Sequence, residues 1–400
     1  MVAESGLTEN TADARRAVSS RLDFVIRDDR PASMSAFALF WPHPALAELG
    51  DPLLLVDDGA PPLDVRAAEA RVDEEIRRRA HQSDVDGSRP TWEAFFGWPG
   101  SWPSGAPRRS DVAAYWLAGN VVTPEGADVE AGLALRRHAR CALELPGAAH
   151  WDQDLARLAM HSPGGNIAYR ALARICDSAD QDMRTALWQN AARLANAIRT
   201  LFNRMDVMFL LDQLYGKGQP YWKSVLQYCA DGNLQAVLDE YCFQLKLEFA
   251  GSTVDASVLS QLTDRAVEAL TLRTSHYSAR AAGAAFEKIP ITVRFALRYG
   301  GAVRDAESVR APRCAMPSTA RFWPFVLAST SVGQEGIDFH WWSHSVVHWN
   351  LPFNPVDFEQ REGRVNRFGG HAVRKNVASA HGRHALAVAK SGKKPVAQCF

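Results

Sequence analysis

Two arginines three residues apart, Arg364 and Arg367, close the tract Gln360-Arg-Glu-Gly-Arg-Val-Asn-Arg367. A guanidinium presents a planar fork of donors and keeps its charge, so two of them held together suit phosphate oxygens. Upstream, Ser329, Thr330, Ser331, Gly333 and Gly336 crowd into a short stretch that leads to Asp338. Hydroxyls and free backbone amides in such a loop also suit phosphate, and glycine lets the backbone approach a ligand closely. Asp338 suits a ribose hydroxyl. The chemistry on offer is recognition of a phosphorylated ligand.

The surrounding elements are arranged to position those groups. Residues 324–328 (Pro-Phe-Val-Leu-Ala) are a short apolar run that breaks into the hydroxyl-rich loop, the pattern of a buried parallel strand. Ligands of open α/β sheets sit at the carboxyl ends of such strands. A second strand is expected over Ser345–Trp349. Asn354-Pro355 then reads as a helix start, with Asn as cap, Pro in the first turn and Asp357 complementing the positive helix end. At about 100° per residue, Gln360, Arg364 and Arg367 fall within roughly 60° of one another, with Phe358 and Val365 opposite. Gly363 beside that face leaves room for a ligand, and Gly369-Gly370 is expected to end the helix. A solvated basic face paired with nearby acids is the plain alternative. The strand, glycine loop and strand that precede the helix in order argue against it.

This stretch resembles motifs V and VI of the superfamily 2 helicases, the DEAD/DEAH-like nucleic-acid translocases. Gln360-Arg-Glu-Gly-Arg-Val-Asn-Arg367 matches that family's Gln-x-x-Gly-Arg-x-x-Arg pattern, and Ser329 to Asp338 resembles the motif before it, with Glu335, Gly336 and Asp338 in place. The resemblance implies that Arg364 and Arg367 act as arginine fingers on ATP bound by another RecA-like domain. It implies that Gly336, Asp338, Gln360 and Gly363 line the nucleotide cleft, and that Thr330, Ser331 and Gly333 touch the nucleic-acid backbone. ATP and Mg²⁺ are the implied cofactors, and nucleic acid, with DNA the expected form, is the implied partner. Residues 322–325 and 371–376, together with Ala36 to Val56 and parts of 221–241, resemble a group of large bacterial helicases of DNA-processing or defence systems.

The rest of the chain supplies context. Its 400 residues carry 45 basic and 45 acidic side chains, so no overall field advertises a polyanion. The charge is uneven: from Arg361 to Phe400 there are nine Lys/Arg and one acid, Glu362. Six cysteines form no C-x-x-C and no ligand-like cluster, as suits a reduced, cytoplasmic protein. No apolar run approaches the length of a membrane span and the N-terminus has no apolar signal core, so no membrane partner is expected.

The expected fold class is α/β: part of a RecA-like parallel sheet domain with a large all-α helical insertion. Residues 1–125 form an N-terminal α/β segment. It has strand-like runs at Leu22–Ile26 and Ala36–Trp41, a charged helix at about 65–80 and a Gly/Pro/Trp-rich linker. Residues 126–288 form the helical insertion, with apolar spacings of three and four to about residue 285 and a break at Asp231-Gly-Asn233. Residues 289–400 form the RecA-like helicase segment, with a strand expected over Ile289–Tyr299.

A motor of this family also needs a phosphate loop with Gly-Lys-Thr/Ser and a strand-terminal Asp-Glu pair. Neither is present. Tyr215-Gly-Lys-Gly-Gln219 lacks the hydroxyl and the upstream glycine, and Asp239-Glu240 falls in a helical run, where a solvated face is expected. A separate chain carrying the N-terminal RecA-like ATPase domain is therefore an expected partner. The alternative is a non-enzymatic relic or helical interaction module. His340, His344 and His348 are spaced like helical metal ligands but fall across a loop and a strand, so no metal is expected. Asp57-Asp58 and Asp73-Glu74-Glu75 read as surface charge.

Overall fold

The computed structural model describes residues 21–55, 63–80, 90–98, 109–119, 122–123, 126–127, 129–145, 154–177, 180–249, 253–271, 275–280, 288–293, 339–341 and 343–390. Two compact units divide between Val267 and Glu268.

The first unit opens with β1 (Ile26–Arg27) and β2 (Arg30–Pro31), an antiparallel pair. Asp28 and Asp29 form the turn, both with positive φ, 48° and 61°. This is the backbone of a two-residue hairpin loop, where Asp is tolerated. The strand expected over Leu22–Ile26 is thus reduced to its last residue. Ala36–Trp41 is not a strand: α1 spans Met34–Ala38, and the apolar run continues as a turn. A continuous apolar run fits a buried helix and a buried strand equally well, and here burial on every side decided for the helix. Phe37 lies at the centre of an aromatic cluster, with ring centroids 5.5 Å from Phe24, 5.4 Å from Trp41, 5.7 Å from Phe96 and 5.5 Å from Trp116.

Helices α2 (Pro44–Leu49), α3 (Val65–Ala80), α4 (Thr91–Phe96) and α5 (Arg109–Ala118) follow. After β3 (Val122–Thr123) and β4 (Gly126–Ala127), an antiparallel pair, the chain enters α6 (Val129–Glu144) and α7 (Asp154–His161). A π-helical turn, Pro163–Ile167, leads into α8 (Ala168–Ala173). The Gly164 and Gly165 amides both donate to Leu39 O, at 3.2 and 3.0 Å. A Cβ on Gly165 would stand 2.3 Å from Trp41 O, so only glycine admits this approach.

The helical spacings of the middle region are realised closely. Helix α9 (Gln181–Phe202) is capped by Asp180, whose carboxylate accepts from Met183 N at 2.8 Å. It buries Leu187, Trp188, Ala191, Leu194, Ala195, Ile198 and Phe202. Helices α10 (Met205–Tyr215), α11 (Tyr221–Asp231), α12 (Leu234–Glu248) and α13 (Ala256–Leu270) complete the set. The break at Asp231-Gly-Asn233 is a cap: Asn233 takes positive φ and its side chain accepts from Ala236 N. Arg170 is buried beneath these helices and donates to Ala47 O (3.0 Å), Ala159 O (3.0 Å), Met160 O (2.5 Å) and Gln235 Oε1 (2.7 Å). Desolvation lowers its pKa to about 10. The neighbouring Arg174 pairs with Asp51 at 2.5 Å and with Asp239. Asp239 is therefore an ion-paired helical residue rather than part of a solvated face.

In the second unit, β5 (Ser275–Arg280) and β6 (Lys288–Val293) form an antiparallel hairpin in register Ser275↔Val293 to Arg280↔Lys288. β5 falls where helix was expected, and its partner β6 supplies the reason: pairing across a connection overrides local helical spacing. The residues of the expected strand beyond Val293 lie outside the described residues. Every strand pair among the described residues is antiparallel. The run 324–328, on which the parallel-sheet expectation rests, lies outside them. A short 3₁₀ turn (Phe339–Trp341), α14 (Pro355–Glu362) and α15 (His371–Lys390) are the further elements of the second unit among the described residues.

Candidate phosphate-binding site

Gln360, Gly363, Arg364 and Arg367 lie on α14 and the turn that follows it. The helix starts as its sequence demands: Asn354 is the N-cap, its side chain accepting from Val356 N at 3.1 Å, with Pro355 in the first turn and Asp357 behind it. Its end differs from expectation. Helix α14 stops at Glu362 with Gly363 as C-cap, not at Gly369-Gly370. The Arg364 amide donates to Arg361 O at 3.2 Å, and the Val365 and Asn366 amides donate to Glu362 O at 3.0 and 2.9 Å. Glycine is the weakest non-proline helix former, and at Gly363 the helix winds down through a turn. Gly369 then takes positive φ, 69°. Arg364 and Arg367 therefore stand on a turn rather than in register on one helix face.

Their exposures differ. Gln360 and Arg367 are exposed, and Arg364 is half-buried. The Arg367 Nε donates to Gly363 O at 3.2 Å. Among the described residues the Arg364 side chain has no acidic partner. A Cβ at Gly363 would stand 2.9 Å from Glu359 O, so this glycine serves the backbone's close turn as well as leaving space outside it. Gly336, Asp338, Thr330, Ser331 and Gly333 lie outside the described residues.

Behind the turn, Arg361 Nη1 donates to Asn350 O at 3.1 Å, tying α14 to the segment before it. Residues 343–348 carry no strand ladder among the described residues, yet residues 345–349 alternate in exposure as a strand would. Val346 and His348 turn inward, while Val347 (86% exposed) and Trp349 (92%) turn outward, followed by Leu351 and Phe353. His348 packs on Phe358 with centroids 4.8 Å apart, and its Nε2 lies 3.4 Å from Glu362 Oε1. A cavity of about 310 Å³ opens here, lined by His344, Val346, Glu362, Val365, Asn366 and Ala372. The sequence did not point to this cavity, because its walls come from three segments that meet only in the fold. Arg374, from the first turn of α15, donates to Trp341 O (2.7 Å) and Gly369 O (2.5 Å) and stacks over the Trp341 ring. Desolvation lowers its pKa.

A family model matches this segment in part. Residues 320–369 match the helicase conserved C-terminal domain. That helicase C-terminal segment includes the whole Gln360–Arg367 tract and the loop before it. No curated protein and no solved structure matches the chain.

Other reactive groups do not assemble a site among the described residues. No cluster of three potential metal ligands occurs among the described residues, so His340, His344 and His348 do not converge. Cys229 and Cys242 are buried, and desolvation raises both thiols, the opposite of an activated nucleophile. Gly216 closes α10 with positive φ, so the Gly-Lys-Gly after it is a helix exit. Asp73 and Glu75 pair with Arg77, Arg78 and Arg79 along α3. No helix among the described residues is long and apolar enough to cross a membrane.

Proposed function

We propose that the chain contributes the C-terminal motor half of a superfamily 2 helicase or translocase, with motifs V and VI in its helicase C-terminal segment. In this reading Arg364 and Arg367 reach the terminal phosphate of an ATP held by a separate N-terminal RecA-like domain, with Gln360 and Gly363 beside it. The observation that carries the reading is Arg364: a half-buried arginine with no acidic partner among the described residues, in the segment that matches the helicase model. Two arginines three residues apart, just beyond the end of α14, suit a polyphosphate. ATP supplies the phosphoryl group, and the arginines stabilise the charge that develops as it is transferred. Asp338 and Gly336 are assigned to the nucleotide, and Thr330, Ser331 and Gly333 to the nucleic-acid backbone. Mg²⁺ belongs with the other domain.

The test is ATP hydrolysis by the chain, alone and with DNA, and then with a protein supplying the phosphate-loop domain. DNA-stimulated turnover is expected in the mixture only. Arg364→Ala should cut it by about 10³-fold or more with the melting transition unchanged, the scale on which arginine fingers act. Unchanged turnover in that variant would remove the assignment.

A second reading has one observation in its favour. Helix α14 buries no residue, whereas the helices of the first unit enclose an extensive core. That contrast suits a helical interaction module whose helicase segment no longer turns over ATP. Nucleotide-independent binding of nucleic acid or protein, with no ATPase in any mixture, would favour it.

A further inference from the structure

Helix α15 is twenty residues long and contains Arg374, Lys375, Arg383 and Lys390 but no acid. No Asp or Glu occurs anywhere from Gly363 to Phe400. Alanine-rich spacing keeps it helical despite Gly382, and at about 1.5 Å per residue it extends roughly 30 Å. Most of its described side chains are exposed. Its cations divide by role. Arg374 faces its own unit, held by Trp341 O and Gly369 O. Lys375, Asn376, Ser379 and Arg383 are all exposed, and neither Lys375 nor Arg383 has an acidic partner among the described residues. At about 100° per residue, Lys375, Ser379 and Arg383 fall within roughly 80° of one another, two helical turns apart end to end. Val373 and Val377 lie on the opposite side.

A cationic stripe with hydroxyl and amide donors between its charges complements a chain of phosphates. We propose that the face of α15 bearing Lys375, Ser379 and Arg383 docks on the phosphate backbone of nucleic acid, independently of base sequence. The choice of nucleic acid among polyanions rests on the helicase reading above. A membrane surface fits less well, since interfacial helices bury bulky aromatic and aliphatic side chains. The only large apolar residues exposed on the described part of α15 are Val373 and Val377. Such docking is electrostatic and steepens the salt dependence of binding, by about 0.9 per neutralised phosphate on duplex DNA and about 0.7 on single strands.

The experiment titrates the full chain with fluorescein-labelled single-stranded and duplex DNA over a range of salt. It compares the wild type with Lys375→Gln/Arg383→Gln, and uses circular dichroism to establish equal folding. The double variant should lower the slope of log K against log salt by about 1.8 on duplex or about 1.4 on single strands. Binding with an unchanged slope would overturn the docking face while leaving the motor reading intact, since another surface would then hold the nucleic acid. No binding at low salt would overturn it too, with the motor reading still judged by ATP turnover in the mixture. Equal affinity for phosphatidylserine vesicles, lost in the same variant, would reassign the face to an anionic membrane.

Discussion

Ser33 Oγ and His138 Nε2 lie 2.9 Å apart, joining the start of α1 to the buried face of α6. His138 Nδ1 lies 2.8 Å from Ala134 O, which only accepts, so Nδ1 carries the proton and Nε2 accepts from the serine hydroxyl. Ser33 Oγ in turn accepts from Val25 N at 2.9 Å. His138 is fully buried against Phe24 and Phe37. The pair has the distance of a nucleophile and its base, but no described cavity opens onto it, and its work is to pin two elements together.

Burial lowers the His138 pKa below its ordinary value near 6.5. The unfolded chain therefore binds this proton more readily than the folded one, so stability is full above about pH 6.5 and declines as pH falls. The decline should approach about 1.4 kcal/mol per pH unit at most. Urea unfolding at several pH values, with His138→Gln flattening the dependence between pH 6.5 and 5, checks it.

Arg170 satisfies three backbone carbonyls and the Gln235 side chain in a site without water access. Arg170→Leu strips all four acceptors of their donor at once. The expected loss is about 3 kcal/mol or more, read as a lower urea midpoint. A loss under about 1 kcal/mol would mean that the site relaxes or admits water.

Gly165→Ala places a methyl against the Trp41 carbonyl, a backbone atom that cannot swing away. Overpacking of this kind costs about 1–3 kcal/mol. Thermal melting should show the loss, whereas Gly218→Ala, where a Cβ meets nothing within 4 Å, should show none from contact.

Asn354 caps a helix that has no buried residue to hold it. Asn354→Ala should therefore cost about 1 kcal/mol locally, with faster hydrogen exchange at the first amides of α14. Asn354→Asp should preserve protection.

The outward row Val347, Trp349, Leu351 and Phe353 leaves a large apolar stripe in water. Such a stripe binds hydrophobic dyes and promotes association. Trp349→Ser/Phe353→Ser should reduce anilinonaphthalene sulfonate fluorescence and raise solubility. No change in either would place the dye-binding surface elsewhere.

Much of this was legible in the chain itself. The charged helix over 65–80 and the helical character of α9, α11 and α12, with a break at Asp231-Gly-Asn233, followed from apolar spacing and breaker residues, which are local. So did the start of α14 at Asn354-Pro355, from its cap and proline. The caps at Asp180 and Asn233 emerged only in the structure. The Ala36–Trp41 run was not legible, because continuous apolarity carries no period and only its burial against Phe24, Phe96 and Trp116 selects helix. Likewise β5 shows only in its pairing with β6.

For the candidate site, residue types and order alone raised the expectation that Gln360, Arg364 and Arg367 face phosphate, since the planar fork of donors belongs to the arginine side chain itself. Tertiary structure decided what surrounds them. It set Arg364 half-buried beyond the end of α14. It closed a cavity from His344, Glu362 and Asn366, and turned Arg374 inward while leaving Lys375 and Arg383 outside. Those outcomes depend on which distant segments share a surface, and local spacing holds no record of that.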